Sequence, residues 1–186
     1  VSIRSKIVLD AKHPDRDVQR RSHDAMVAAE GGVLQLACGL GKTIVARQVI
    51  ASSHVPGLVA VDTTQLVEQW VEEMLQHLDL KPEDIGHLHG GSWDWNKPIA
   101  IATYHTLANK TDLFLDGPSR HFGVIVYDEA HHVNAPTFCR GVEVCQGKRF
   151  GLTATPNRAD GRHVIADMHL GPVLHKDLSQ DLHPEI

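Results

Sequence analysis

Apolar residues along the chain recur at two distinct spacings. Leu66, Val67, Trp70, Val71, Met74, Leu75 and Leu78 return every three or four positions, which puts them on one face of a helix. Residues 15–29 form a second helical segment, punctuated at its end by Gly31-Gly32, and a third helix is predicted over residues 43–52. Between the helices lie short, uninterrupted apolar runs at 33–36, 58–61, 85–88, 99–102, 124–127 and 150–152. A strand covered on both faces requires such a run rather than alternation. Strands alternating with helical stretches predict an α/β fold with a mainly parallel sheet and helices on both faces. Residues 90–98 hold Trp93 and Trp95 but no periodicity, and read as a surface loop. From Leu174 onward the chain reads as the start of a connection leading elsewhere.

Two of the predicted strands end in chemically distinctive turns. Leu36-Ala37-Cys38-Gly39-Leu40-Gly41-Lys42-Thr43 lies between a strand and a helix, the setting of a phosphate-binding P-loop. Small residues let the backbone N–H groups of Cys38, Gly39, Leu40 and Gly41 curl round phosphate oxygens, and the helix N-terminus adds a favourable dipole. Lys42 would reach the β- and γ-phosphates of ATP, and the Thr43 hydroxyl would ligate Mg²⁺. The full pattern has Gly five positions before Gly41, where this chain has Leu36. The residues alone therefore carry the shorter G-x-G-K-T, and a Gly-rich helix start with an incidental lysine is the alternative.

The second turn follows the apolar strand Val124-Ile125-Val126-Tyr127 and reads Asp128-Glu129-Ala130-His131, 85 residues after Thr43. Ligands of open α/β sheets sit beyond the carboxyl ends of strands. Phosphoryl chemistry needs one carboxylate to hold Mg²⁺ and another to position or deprotonate the attacking water. Asp128 suits the first role and Glu129 the second, so Lys42, Asp128 and Glu129 are the catalytic candidates and Thr43 with Asp128 the metal candidates.

The ordered set resembles the DEAH-box helicases of superfamily 2, and within them the N-terminal RecA-like ATPase domain. Asp128-Glu129-Ala130-His131 stands for the DEAH box and Gly151-Leu152-Thr153-Ala154-Thr155-Pro156 for the third motif; the departure at Leu36 is common in that superfamily. Arg16-Asp17-Val18-Gln19 resembles the segment whose glutamine reads the adenine edge, so Gln19 is implied there. Val61-Asp62-Thr63-Thr64-Gln65-Leu66-Val67-Glu68-Gln69-Trp70 resembles motif Ia, with Asp62 where a proline is common. Ile101-Ala102-Thr103-Tyr104-His105-Thr106-Leu107 resembles a later motif that touches the nucleic-acid backbone. The run from Leu152 to Gly161, with Glu68-Gln69-Trp70, is most similar to repair helicases of the xeroderma pigmentosum B type, and restriction-enzyme and phage helicase motors share it. The resemblance implies that His131, Thr153 and Thr155 couple the ATP site to nucleic acid. It implies that Thr63, Thr64, Thr103 and Tyr104 contact phosphates through hydroxyls and backbone N–H groups, which position without reading sequence. Trp93 and Trp95 either stack on bases, at ~1–3 kcal/mol per base, or pack down on their own domain.

That resemblance spans nearly the whole chain, so residues 1–175 are expected to be one RecA-like domain and 176–186 the start of a linker to a second RecA-like domain. The second domain is the partner that, as the family implies, supplies an arginine finger. The implied function is the ATP-binding first domain of an ATP-dependent DNA helicase or translocase, with DNA favoured over RNA by the closer resemblance. The alternatives are a stand-alone nucleotide-binding or interaction module, a motor piece of a restriction enzyme, and a small-molecule kinase; the last gives no reason for the Asp-Glu-Ala-His turn or Thr153-Ala154-Thr155.

Composition qualifies this picture at three points. The 186 residues carry 18 Lys+Arg against 23 Asp+Glu, a net −5, which does not announce a nucleic-acid binder. A motor touching the backbone along one rim neutralises few phosphates, and the implied function survives. Fourteen histidines would carry the charge from −5 to about +9 if all were protonated, but pairs such as His87/His89 and His131/His132 lack the spacing of a metal site. The three cysteines, Cys38, Cys139 and Cys145, form neither a disulfide framework nor a zinc pattern. With no signal-peptide pattern and no apolar run near the ~18–20 residues of a membrane span, an intracellular setting is expected, cytoplasm and nucleoid or nucleus, with no membrane partner. Val1 in place of Met is expected of a processed or trimmed chain.

Overall fold

The structure, a computed structural model, describes residues 3–5, 14–131, 146–154 and 169–179. In chain order the elements are α1 (Pro14–Ala28), β1 (Gly31–Leu36), α2 (Lys42–Ser53), β2 (Gly57–Val61), α3 (Thr64–His77), a 3₁₀ turn at Pro82–Asp84, β3 (Ile85–Leu88), β4 (Ile99–Thr103), α4 (Tyr104–Asn109), α5 (Thr111–Leu115), α6 (Pro118–His121), β5 (Val124–Tyr127), β6 (Lys148–Thr153) and β7 (Val173–Asp177). The described strands form one sheet in the order β3-β4-β2-β5-β6-β1-β7. All six pairings are parallel, so the predicted α/β class stands.

The uninterrupted apolar runs have a direct structural cause. Every residue of β2, β4 and β5 is buried, and successive side chains point to opposite faces. Val59, Val61, Ile99, Ile101, Val124 and Val126 enter one core with Met26 of α1, Val45, Val49 and Ile50 of α2, and Val67, Trp70 and Met74 of α3. Leu58, Ala60, Ala100, Ala102, Ile125 and Tyr127 enter the other with Tyr104, Leu107 and Phe114. Helices thus cover both faces, as the alternation predicts. The residues just before α3 and α4 cap them: the Thr63 hydroxyl accepts from the Leu66 N–H at 3.3 Å and the Thr103 hydroxyl from the Thr106 N–H at 3.2 Å.

Helices α2 and α3 are also tied by charge. Arg47, only 2% exposed, donates to both the backbone carbonyl and the carboxylate of Glu73. Burial pulls the Arg47 pKa below its ordinary value and the adjacent Glu73 opposes that shift.

Three local expectations need adjustment. Residues 174–177 are not a connection: they belong to β7, which pairs with β1 through Leu34↔His175 and Leu36↔Asp177. The stretch 90–98 is a loop, yet both indoles are half-buried on the second core, with Trp93 against Phe114 and Trp95 against His121, edge to face at 6.4 and 5.4 Å. Lys110 lies 4.9 Å over the Trp93 ring. Packing, rather than base stacking, is the role these contacts assign. The segment 104–121, for which no element is predicted, contains α4, α5 and α6. No helix among the described residues is long and apolar enough to cross a membrane.

The loop closes on β3 where Asp94 N–H donates to the His87 carbonyl at 3.2 Å. A Cβ at Gly86 would stand 1.9 Å from the Asp94 carbonyl oxygen, so that backbone must move to admit a methyl group. Gly86→Ala should cost about 1–3 kcal/mol, read as a lower midpoint in urea or thermal unfolding followed by circular dichroism.

Candidate active site

Because every pairing is parallel, all strand carboxyl ends share one edge of the sheet. Leu36, Val61, Thr103, Tyr127 and Thr153 close their strands there, and the turns that follow carry most of the candidate residues. Ladder register fixes their relative heights: Tyr127 pairs with Gly151 and Gly151 with Val33.

The loop after β1 is shaped by its glycines. Gly39 and Gly41 have φ of +87° and +84°, the left-handed region that glycine enters without a side-chain penalty. Lys42 Nζ folds back to the Leu36 carbonyl at 3.3 Å; an anionic phosphate oxygen would draw it off, since it adds a full Coulomb attraction that a neutral carbonyl lacks. Gln19 lies against this loop at 5% exposure, with Nε2 donating to the Leu40 carbonyl at 3.4 Å. Its Oε1 is buried with no hydrogen-bond partner among the described residues, an acceptor whose neglect costs about 1–3 kcal/mol. An exocyclic amino group such as adenine's would satisfy it. Beside the loop opens a cavity of about 330 Å³ lined by Gly39, Gly41, Lys42, Thr43, Ile44, Arg47, Glu73 and His77. Cys38 is exposed and Thr43 half-buried in the first turn of α2.

Asp128 is held from four directions. Its N–H donates to the Ala60 carbonyl of β2 at 2.9 Å. Its carbonyl accepts from Tyr104 Oη at 2.7 Å. Its carboxylate accepts from Trp70 Nε1 on Oδ2 at 2.8 Å and from the Glu129 N–H on Oδ1 at 3.0 Å. Glu129 has φ of +49°, uncommon for a side chain of this kind and tolerated where the surroundings fix it. Its carboxylate is 36% exposed and lies 3.3 Å from His131 Nδ1. Thr153 is buried at 6%, in register with Gln35.

Of the expected phosphate contacts, Thr63 and Thr64 are exposed at the α3 N-terminus. Thr103 is buried, and its hydroxyl is engaged with Thr106. The Tyr104 ring is 2% exposed and stacked on Tyr127, and its hydroxyl donates to the Asp128 carbonyl. Burial first, then the charges of Asp128, Asp62 and Glu129, push its pKa well up, so it stays a neutral donor. Thr155 lies outside the described residues, as do Cys139, Cys145 and His132. His87 and His89 meet edge to face, and no group of three or more metal-ligating side chains occurs among the described residues. Sequence reasoning missed the bonds of Trp70 and Tyr104 to Asp128, and the Arg47–Glu73 tie.

Residues 12–158 match the family ResIII, described as type III restriction enzyme, res subunit. The chain belongs to the ResIII family. It is 34% identical over 164 residues to the DNA 3'-5' helicase XPB of Mycobacterium tuberculosis, covering 84% of this chain and 29% of that protein. It is 30% identical over 168 residues to the DNA 3'-5' translocase XPB2 of Sulfurisphaera tokodaii, covering 90% of this chain and 36% of that one. The helicase domain of Pyrococcus furiosus Hef superposes with a TM-score of 0.69 at 22% identity, over 87% of this chain and 39% of that one, a likeness of fold. This ResIII chain therefore resembles the N-terminal domain of XPB-type superfamily 2 helicases, with the RecA-like fold expected of it. It spans about a third of the curated relatives' lengths.

The loop geometry generates a ranking. Gly39→Ala meets open space and strains only the backbone, whereas a Cβ at Gly41 also stands 2.4 Å from Gln19 Nε2. Gly41→Ala should raise the Kd for a fluorescent ATP analogue more than Gly39→Ala does, with each variant checked for native circular dichroism.

Proposed function

We propose that this chain is the ATP-binding first domain of an ATP-dependent DNA helicase or translocase, acting with a second RecA-like domain. The observation that carries the reading is one sheet edge on which Lys42, Thr43, Asp128, Glu129 and Thr153 gather at the carboxyl ends of three neighbouring strands. The bent loop, the unpartnered Gln19 oxygen and the oriented Asp128 carboxylate fit a magnesium nucleotide. Backbone N–H groups of residues 38–43 and the Lys42 ammonium would bind the phosphates, and Gln19 would accept from the adenine amino group. Thr43 and Asp128 would hold Mg²⁺, which when bound neutralises charge on the β- and γ-phosphate oxygens. Glu129 would orient the attacking water and take its proton, with His131 steadying the carboxylate at 3.3 Å. Thr153 and Thr155 would relay the nucleotide state to nucleic acid held at Thr63, Thr64 and Thr103. Both curated relatives are named for 3'-5' movement on DNA, and we carry that direction, and an intracellular compartment that holds DNA, to this chain. Residues 1–175 with 176–177 completing β7 would form the domain, and the remainder would lead to its partner.

The test is ATPase activity of the natural full-length protein with duplex DNA, single strands and RNA. DNA should stimulate turnover, and Lys42→Ala should abolish it. Glu129→Gln should keep nucleotide binding and lower the rate by about 10²–10⁴. The 186-residue piece alone should hydrolyse slowly, because an arginine finger is worth about 10³–10⁵ in rate. Stimulation by none of the nucleic acids would favour a nucleotide-binding module instead.

A further inference from the structure

We propose that Trp70 is a positioning residue for Asp128: its indole N–H fixes the carboxylate that the proposed function assigns to Mg²⁺, and the inference rests on that assignment. Trp70 is 2% exposed in the middle of α3 and packs in the first core beside Val67 and Met74. Its Nε1 donates to Asp128 Oδ2 at 2.8 Å across 58 residues of sequence. Packing locks the ring, so the donor has one direction.

The other carboxylate oxygen accepts from the Glu129 N–H at 3.0 Å. Each oxygen therefore has one donor from the domain, and rotation about the carboxyl bond would break both. Further lone pairs on the same oxygens remain for a metal or its waters. A carboxylate so held is preorganised: binding a cation need not first pay for ordering it.

A buried indole N–H would be satisfied by any nearby carbonyl. Here the acceptor is the acid at the carboxyl end of the central strand. The element that bears the donor is further constrained at Glu73, where Arg47 of the P-loop helix donates to it, and at Thr63, which caps its start. The indole thus refers the Asp128 carboxylate to a helix fixed against the nucleotide loop.

Trp70→Phe keeps an aromatic ring and deletes the donor. In the natural full-length protein, binding of a fluorescent ADP analogue is titrated at rising Mg²⁺. A positioning role predicts that the variant needs roughly 10-fold more Mg²⁺ for half-maximal binding, the low end of what losing an outer-shell partner costs, while nucleotide affinity without Mg²⁺ is unchanged. An unaltered Mg²⁺ dependence in a natively folded variant overturns the proposal. If Trp70→Phe fails to fold, the natural full-length protein labelled with 5-fluorotryptophan decides by ¹⁹F NMR, with every tryptophan other than Trp70 (Trp93 and Trp95 among them) assigned through its own substitution by Phe. The remaining Trp70 resonance should shift between ADP and Mg²⁺-ADP, and a stationary resonance overturns the proposal. Failure of the underlying site reading looks different: wild type itself would bind nucleotide without regard to Mg²⁺ or to Lys42→Ala.

Discussion

Parallel pairing through β2, β5, β6 and β1 is the constraint from which the site follows. A parallel ladder sets the carboxyl ends of its strands at one edge, and each crossover helix begins there with its N–H groups unpaired. The order along that edge is Thr103 at the end of β4, Thr63 after β2, Asp128 after β5, Thr153 at the end of β6 and the glycine loop after β1. Strands lie ~4.8 Å apart, so two ladders separate the axes of β1 and β5 by ~10 Å, room for phosphates between the loop and Asp128. The same order puts Asp128, His131 and Thr153 between the exposed threonines and the nucleotide loop. Any device that relates those two ends has to pass through that middle.

Within the edge, Asp128 is the most constrained group. Backbone and side chain together engage β2, α3, α4 and the following residue. The left-handed Glu129 fits this arrangement, because the Asp128 carboxylate that accepts its N–H stabilises an otherwise costly backbone. Rigidity is concentrated at the proposed metal ligand, while the adjacent Glu129 carboxylate remains a third exposed. The two acids of one turn thus differ in environment, one oriented and one open to water, as different roles require.

The parts of this arrangement visible in the sequence were those with a local signature. Doubly buried strands produce uninterrupted runs, and α3 carries a regular apolar stripe; both were legible with boundaries within a residue or two. The glycine loop and the acidic turn were legible because phosphate chemistry restricts residue type. Strand β7 was not, since it lies at the sheet edge with Val173 42% exposed and carries His175, Lys176 and Asp177, leaving no continuous run. Tyr104 read as a polar contact because nothing in its neighbours reveals that its ring stacks on Tyr127 beneath the edge. The Trp70–Asp128 and Arg47–Glu73 bonds join residues 58 and 26 positions apart, separations that no periodicity encodes.

Openness of the edge has a chemical consequence. Cys38 and Gly39 are exposed, and Lys42 and Glu129 are only partly covered. Charges at such a surface act through a high effective dielectric, where an ion pair at 4 Å is worth ~1–4 kcal/mol. Electrostatic stabilisation of a phosphoryl transition state depends on excluding water from fixed donors, and this face cannot do that unaided. A covering surface would have to supply two things at once, a low-dielectric wall and a cation for the charge that Lys42 leaves unneutralised. The proposed second RecA-like domain would meet both requirements, and its approach would be sensed first at the partly covered Glu129 and His131. The net charge of −5 is then no argument against a nucleic-acid motor, because only the threonine-bearing rim need face phosphate.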